Sequence, residues 1–157
     1  MAVHGDLESF AAALPVEGVL AGLDLGTRTI GIALSDNRQS VGTPFDTIRR
    51  RRFALDAQDL LERLTLRRAV GIVLGLPLNM DGSEGPRCQS TRAFARNLSR
   101  LTELPIGFWD ERLSSFAAEQ ILIEAGTRRA RRAEVIDKVA AGIILQGFLD
   151  RLAELRR

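Results

Sequence analysis

The sequence predicts an α/β domain on a mixed five-stranded sheet, with elements in the order βββαβαβαα and helices on both faces. Three observations carry this. Two runs of strand character, residues 19–24 and 29–35, follow one another across a glycine turn, as an antiparallel pair does. The period then becomes helical, with Phe53, Ala57, Leu60, Leu61 and Leu64 on one stripe. Residues 69–74 follow as a short unbroken apolar run, the pattern of a strand buried on both faces.

Each element has its own warrant. Residues 1–17 form an N-terminal extension to a domain spanning 18–157; their apolar stretch 10–14, ended by Pro15, fits either a docked helix or a loose tail. After the first two strands, a turn through Asp36-Asn37-Arg38-Gln39 leads to a third at about 40–47, completing a meander. The first helix spans about 53–66, with Asp59 and Arg63 paired i,i+4 on its wet side. Residues 75–86, rich in Gly and Pro, form a loop into a helix at about 87–101, with Phe94, Leu98 and Leu101 inward. A strand at 105–109 follows. Ser114 or Ser115 caps the next helix, whose stripe Ala118, Ile121, Leu122 and Ala125 is closed by Gly126. A basic loop, 128–132, opens the longest helix at about 134–155, with Ile136, Val139, Ala140, Ile143 and Gly147 as its core stripe.

Composition removes several chemistries. One histidine (His4), one cysteine (Cys88) and no tyrosine leave nothing from which to build a Ser-His-Asp triad, a histidine metal site or a Cys-His pair. One tryptophan and seven phenylalanines, mostly at core spacing, argue against a base-stacking platform. No apolar run approaches the roughly 18 residues of a membrane span. The N-terminus lacks a basic leader and Cys88 has no disulfide partner, so a cytoplasmic protein is expected.

Carboxylates remain as the reactive groups. Asp24 ends an otherwise apolar strand, Glu111 with Asp110 follows the last strand, and Asp137 shares a helix stripe with Ala140, Ala141 and Ile144. Small residues at 140–142 let that helix approach the sheet closely. Acids converging at strand ends repel one another, and a hard divalent cation with oxygen ligands, Mg²⁺ or Mn²⁺, relieves this. Two structural alternatives stand beside it: Asp24 capping its own turn, and Asp-Arg pairs that only hold the fold.

In this order the motifs resemble the YqgF/RuvX family, relatives of the RuvC Holliday-junction resolvases. They are Leu23-Asp24-Leu25-Gly26-Thr27 with 30–36, Gly75-Leu76-Pro77-Leu78-Asn79-Met80-Asp81-Gly82-Ser83, Asp110-Glu111-Arg112-Leu113, and Ile136-Asp137-Lys138-Val139-Ala140-Ala141. The resemblance implies an RNase H-like fold and a metal-dependent nuclease processing the 5′ end of precursor 16S rRNA. It carries Asp24, Glu111 and Asp137 over as the catalytic, metal-holding acids, with Asp110 as a candidate fourth. RuvC-type enzymes draw an acid from the fourth strand; here that strand runs into Gly75-Leu76-Pro77, and Glu111 must substitute.

The candidate nucleic-acid contacts are Arg28, Asn79, Ser83, Arg112, Arg128, Arg129, Arg131, Arg132 and Lys138, with residues 49–52 as a further basic cluster. Arg132 lies five residues before Asp137, about 8 Å along a helix. The stripe Arg92, Arg96 and Arg100 reads as the wet face of its helix. The expected partner is structured RNA, precursor 16S rRNA in a pre-ribosomal particle, bound by a monomer or homodimer with no membrane involved. Alternatives are cleavage of branched DNA, a non-catalytic rRNA-binding assembly factor, and an actin-like nucleotide-binding fold suggested by residues 24–27. The last needs a second lobe that 157 residues do not supply.

Overall fold

The computed structural model describes residues 3–112 and 129–157. Its elements are α1 (Leu7–Ala13), β1 (Val19–Leu25), β2 (Thr29–Ser35), β3 (Gly42–Arg49), α2 (Phe53–Leu66), β4 (Ala69–Leu76), α3 (Pro86–Ser99), β5 (Ile106–Asp110) and α4 (Arg129–Leu155). The five strands lie in the order β3-β2-β1-β4-β5. β1, β2 and β3 pair antiparallel, while β4 joins β1 and β5 in parallel, giving the mixed sheet that the change of period predicts.

Helices cover both faces because the central strands are apolar on both. On one face α2 and α3 bring Ala57, Leu60, Leu64, Phe94 and Leu98 against Leu23, Ile30, Ile32 and Leu74. On the other, α4 and α1 bring Leu145, Phe148, Leu152 and Phe10 against Leu20, Ala33 and Val73. The segment before β1 is thus a docked helix. Asp6 caps it by accepting from the Ser9 N–H, and Phe10 packs beside Phe148 at 5.1 Å between ring centroids.

Four expectations need correction. β4 continues through Gly75 and Leu76, which pair with Trp109 and Asp110, because the parallel neighbour supplies partners for two more residues. α3 begins at Pro86, which suits a first helical position, and ends at Ser99, leaving Leu101 exposed rather than inward. α4 begins at Arg129, so most of the supposed basic loop is helix; arginine and alanine are good helix formers and no breaker intervenes. Its buried stripe is the adjoining one, Ala140, Ala141, Ile144, Leu145 and Phe148, while Ile136, Val139 and Ile143 are half-buried. The expected helix through Ala118, Ile121, Leu122 and Ala125, with its Ser114 or Ser115 cap, lies outside the described residues. No described helix is long and apolar enough to cross a membrane.

Candidate active site

Three elements deliver one carboxylate each to the edge where β1, β4 and β5 end. Asp24 sits opposite Gly31 in the β1-β2 ladder and is 3% exposed. Glycine at 31 is required by α4, since a Cβ there would lie 2.0 Å from the main-chain oxygen of Asp137. This close crossing puts the Asp137 side chain over the β1-β2 turn, where the Thr29 hydroxyl donates to its Oδ2. Glu111 follows β5 directly, its N–H bonded to the Leu76 carbonyl at 3.2 Å, and is 8% exposed. A Cβ on Gly75 would stand 2.4 Å from Glu111 Oε2, so the strand-4 position without a side chain is what admits the strand-5 acid.

The acids lean on one another. Burial, then the charge of Glu111 and a hydrogen bond to it, pushes Asp24 up to about 7. Burial, then the charge of Asp24, pushes Asp137 up to about 7 as well. Glu111 is raised by burial, against the hydrogen bond from Asp24 and the charge of Arg87. Arg87 is, among the described residues, the one cation that opposes the rise at all three acids. Among the described residues Glu111 Oε2 is buried with no hydrogen-bond partner, a costly state for a carboxylate oxygen. A donor set of carboxylate oxygens with one left unsatisfied fits a hard divalent cation. As they stand, no three acid, His or Cys side chains among the described residues enclose a common point at ligand distance.

The other candidates are placed differently. Asp110 alternates onto the opposite face from Glu111 and is held by Arg112, whose Nε donates to its Oδ2 at 2.8 Å. Its burial would raise the carboxyl, but these Arg112 bonds hold it below the ordinary range. Arg112 also donates to the Met80 carbonyl at 3.3 Å, strapping the glycine loop to the end of β5. Asn79 and Ser83 bond to each other at 3.0 Å, and Ser83 donates to Asp81 at 2.6 Å, so both brace that loop. Arg28 is exposed in the β1-β2 turn, and Lys138 is half-buried beside Asp137. Arg128 and the side chains of Arg129, Arg131 and Arg132 lie outside the described residues. The residue not foreseen is Arg87. Its signal was Pro86: a first-position proline opens α3 there and sets Arg87 in its first turn.

Residues 18–151 match the RuvX family, described as Holliday junction resolvase. A protein of Ruegeria sp. (strain TM1040) named "Putative pre-16S rRNA nuclease" is 64% identical over 154 residues, covering 98% of each chain. One of the same name from Ruegeria pomeroyi is 67% identical over 149 residues, 95% of this chain and 97% of its own. Among solved structures, T. thermophilus RuvC in complex with a Holliday junction substrate superposes with TM-score 0.54 at 14% identity, covering 85% of this chain and 96% of that one. Fowlpox virus resolvase in complex with Holliday junction DNA gives 0.54 at 9% identity, covering 85% and 98%. The structural likeness is one of fold, the RNase H-like arrangement. The sequence likeness goes further: it runs through both the strand-end acids and the helix that crosses them, and the chain belongs to the RuvX family.

Proposed function

We propose that this protein is a cytoplasmic, Mg²⁺- or Mn²⁺-dependent endonuclease that processes the 5′ end of precursor 16S rRNA. Its catalytic acids are Asp24, Glu111 and Asp137, carried by a domain of residues 18–157, with 1–17 as an N-terminal extension whose helix α1 packs on that domain. The observation that carries this is the unpartnered, buried Glu111 Oε2 within a cluster of three acids. A fold gains nothing from such an oxygen unless a charge arriving from outside satisfies it. The relatives' names support the nuclease activity and the rRNA substrate.

The three acids would hold the cation. Asp24 is fixed by the ladder, Asp137 by the Thr29 hydroxyl, and Glu111 presents Oε2 across Gly75. When bound, a divalent cation supplies charge to a phosphodiester oxygen and makes water a competent nucleophile near neutral pH, without a histidine base. Arg28, Lys138 and the α4 arginines contact the RNA, while Asn79, Ser83 and Arg112 act through the loop they brace.

Purified protein should cleave a precursor 16S rRNA fragment with Mg²⁺ or Mn²⁺, and Asp24→Asn should abolish this; full activity in the variant overturns the assignment. Branched DNA is the second substrate class, favoured by the family description. A four-way junction assayed alongside decides between them. RNA binding without cleavage under any metal condition would mark an assembly factor instead.

A further inference from the structure

Beside the acids lies a hollow of about 130 Å³, walled by Gly26, Thr27, Arg50, Arg87, Ser90 and Thr91. Its two arginines, one following β3 and one in the first turn of α3, donate to consecutive carbonyls at the β1-β2 turn. Arg50 Nη1 donates to the Gly26 oxygen at 2.7 Å, and Arg87 Nη2 to the Leu25 oxygen at 3.4 Å. A guanidinium has five N–H donors, so each keeps most of its fork after that bond. Neither forms an ion pair among the described residues, whereas Arg51, Arg63, Arg92, Arg112 and Arg151 all meet carboxylates. Two guanidinium forks held by main-chain carbonyls and lining one small space, neither in direct contact with a carboxylate among the described residues, match the oxygens of a phosphate group. Ser90 lines the hollow as well, and α3, whose first turn carries Arg87, has no side-chain cap hydrogen bond.

We propose that this hollow binds one phosphate group of the nucleic-acid substrate, neighbouring the phosphate that meets the acids, and so sets the register of cutting. The placement rests on the nuclease reading: the hollow is lined by Leu25, Gly26 and Thr27, the residues that directly follow Asp24, and its Arg87 acts on the Asp24 carboxylate. The ligand chemistry does not rest on it.

The test separates the two. Affinity of the full chain for a structured RNA is measured in EDTA across a KCl series, so no cutting intervenes. Arg87→Gln and Arg50→Gln should each weaken binding about tenfold and flatten the log K against log salt slope by about 0.7–0.9. Arg151→Gln, remote and paired with Glu154, should match wild type. Wild-type affinity and slope in both hollow variants, with unchanged melting temperatures, overturn the proposal. The comparison is repeated on 5′-hydroxyl and 5′-phosphate RNA. A loss with both identifies an internal phosphodiester as the bound group, and a loss confined to the second identifies a terminal phosphate; either supports the site. With Mg²⁺, Arg87→Gln should spread the cut position, and a single unshifted cut removes the register role. An RNA that is never cut refutes the nuclease reading while the slopes still decide the hollow.

Discussion

Asp24 and Asp56 are equally buried, at 3% exposure each, yet one is at rest and the other is not. Asp56 lies in the first turn of α2, accepts from the Arg51 N–H with both oxygens at 3.1 and 3.3 Å, and has the Arg51 guanidinium 4.0 Å away. Its charge is answered from within the fold, by an amide, a cation and a helix start. Asp24 meets two further acids, with Arg87 acting only from outside the cluster. Burial of a carboxylate therefore says little by itself. What marks a site is burial without internal compensation, and that difference can be pulled apart experimentally.

The largest separation should come from exchanging the two roles. Asp24→Asn should lower cleavage by more than the 10–100-fold typical of changes behind a metal ligand, at about 10²-fold or beyond, while raising the metal-free melting temperature at pH 8 through loss of like-charge repulsion. Asp56→Ala should do the reverse, costing about 1–3 kcal/mol in chemical denaturation with wild-type turnover per folded molecule. Equal effects of both substitutions on stability and on turnover would erase the distinction. Next in size, Gly75→Ala places a Cβ 2.4 Å from Glu111 Oε2 and 2.5 Å from Ile144 Cδ1. Glu111 must move, and cleavage should fall about tenfold or more against a stability cost of about 1–3 kcal/mol. Cleavage at the wild-type rate would show that Glu111 has other room.

The smallest effect is in pH. Asp24 and Asp137 are raised in the fold from an ordinary 3.8 to about 7, so the folded protein holds these protons more tightly than the unfolded chain. Their stabilising contribution is fully present below about pH 4 and is lost as pH rises toward 7. In chelator, the melting temperature should decline across that window, and saturating Mg²⁺ should flatten the decline. Asp24→Asn should flatten it without metal; a slope that persists in this variant assigns the effect elsewhere.

Much of this site was legible in the chain because the acids interrupt apolar runs: Asp24 between Leu23 and Leu25, and Asp137 beside Ile136 and Val139. An interrupted period is a local signal. The succession of strands and helices along the chain, apart from the helix expected within 113–128, was legible for the same reason. What failed depended on contacts between distant segments. Hydrophobicity favoured Ile136, Val139 and Ile143 as the buried stripe of α4, but Gly22 and Gly31 on the sheet leave room only for a close approach, which Ala140 and Ala141 permit. Gly75 read as a loop residue because nothing nearby shows that an acid 36 positions later fills its missing side chain. Arg87 read as an unremarkable helix start, since its partner is the Leu25 carbonyl, 62 residues back.

The space over Gly75 has room for a single tenant. A side chain on β4 and the carboxylate arriving from β5 are mutually exclusive occupants of one volume, so the acid and the glycine form a linked pair rather than two independent choices. A chain that placed its acid on β4 would have to vacate the β5 end, and this chain has done the converse. The site thus specifies where a carboxylate must be, while leaving open which strand delivers it.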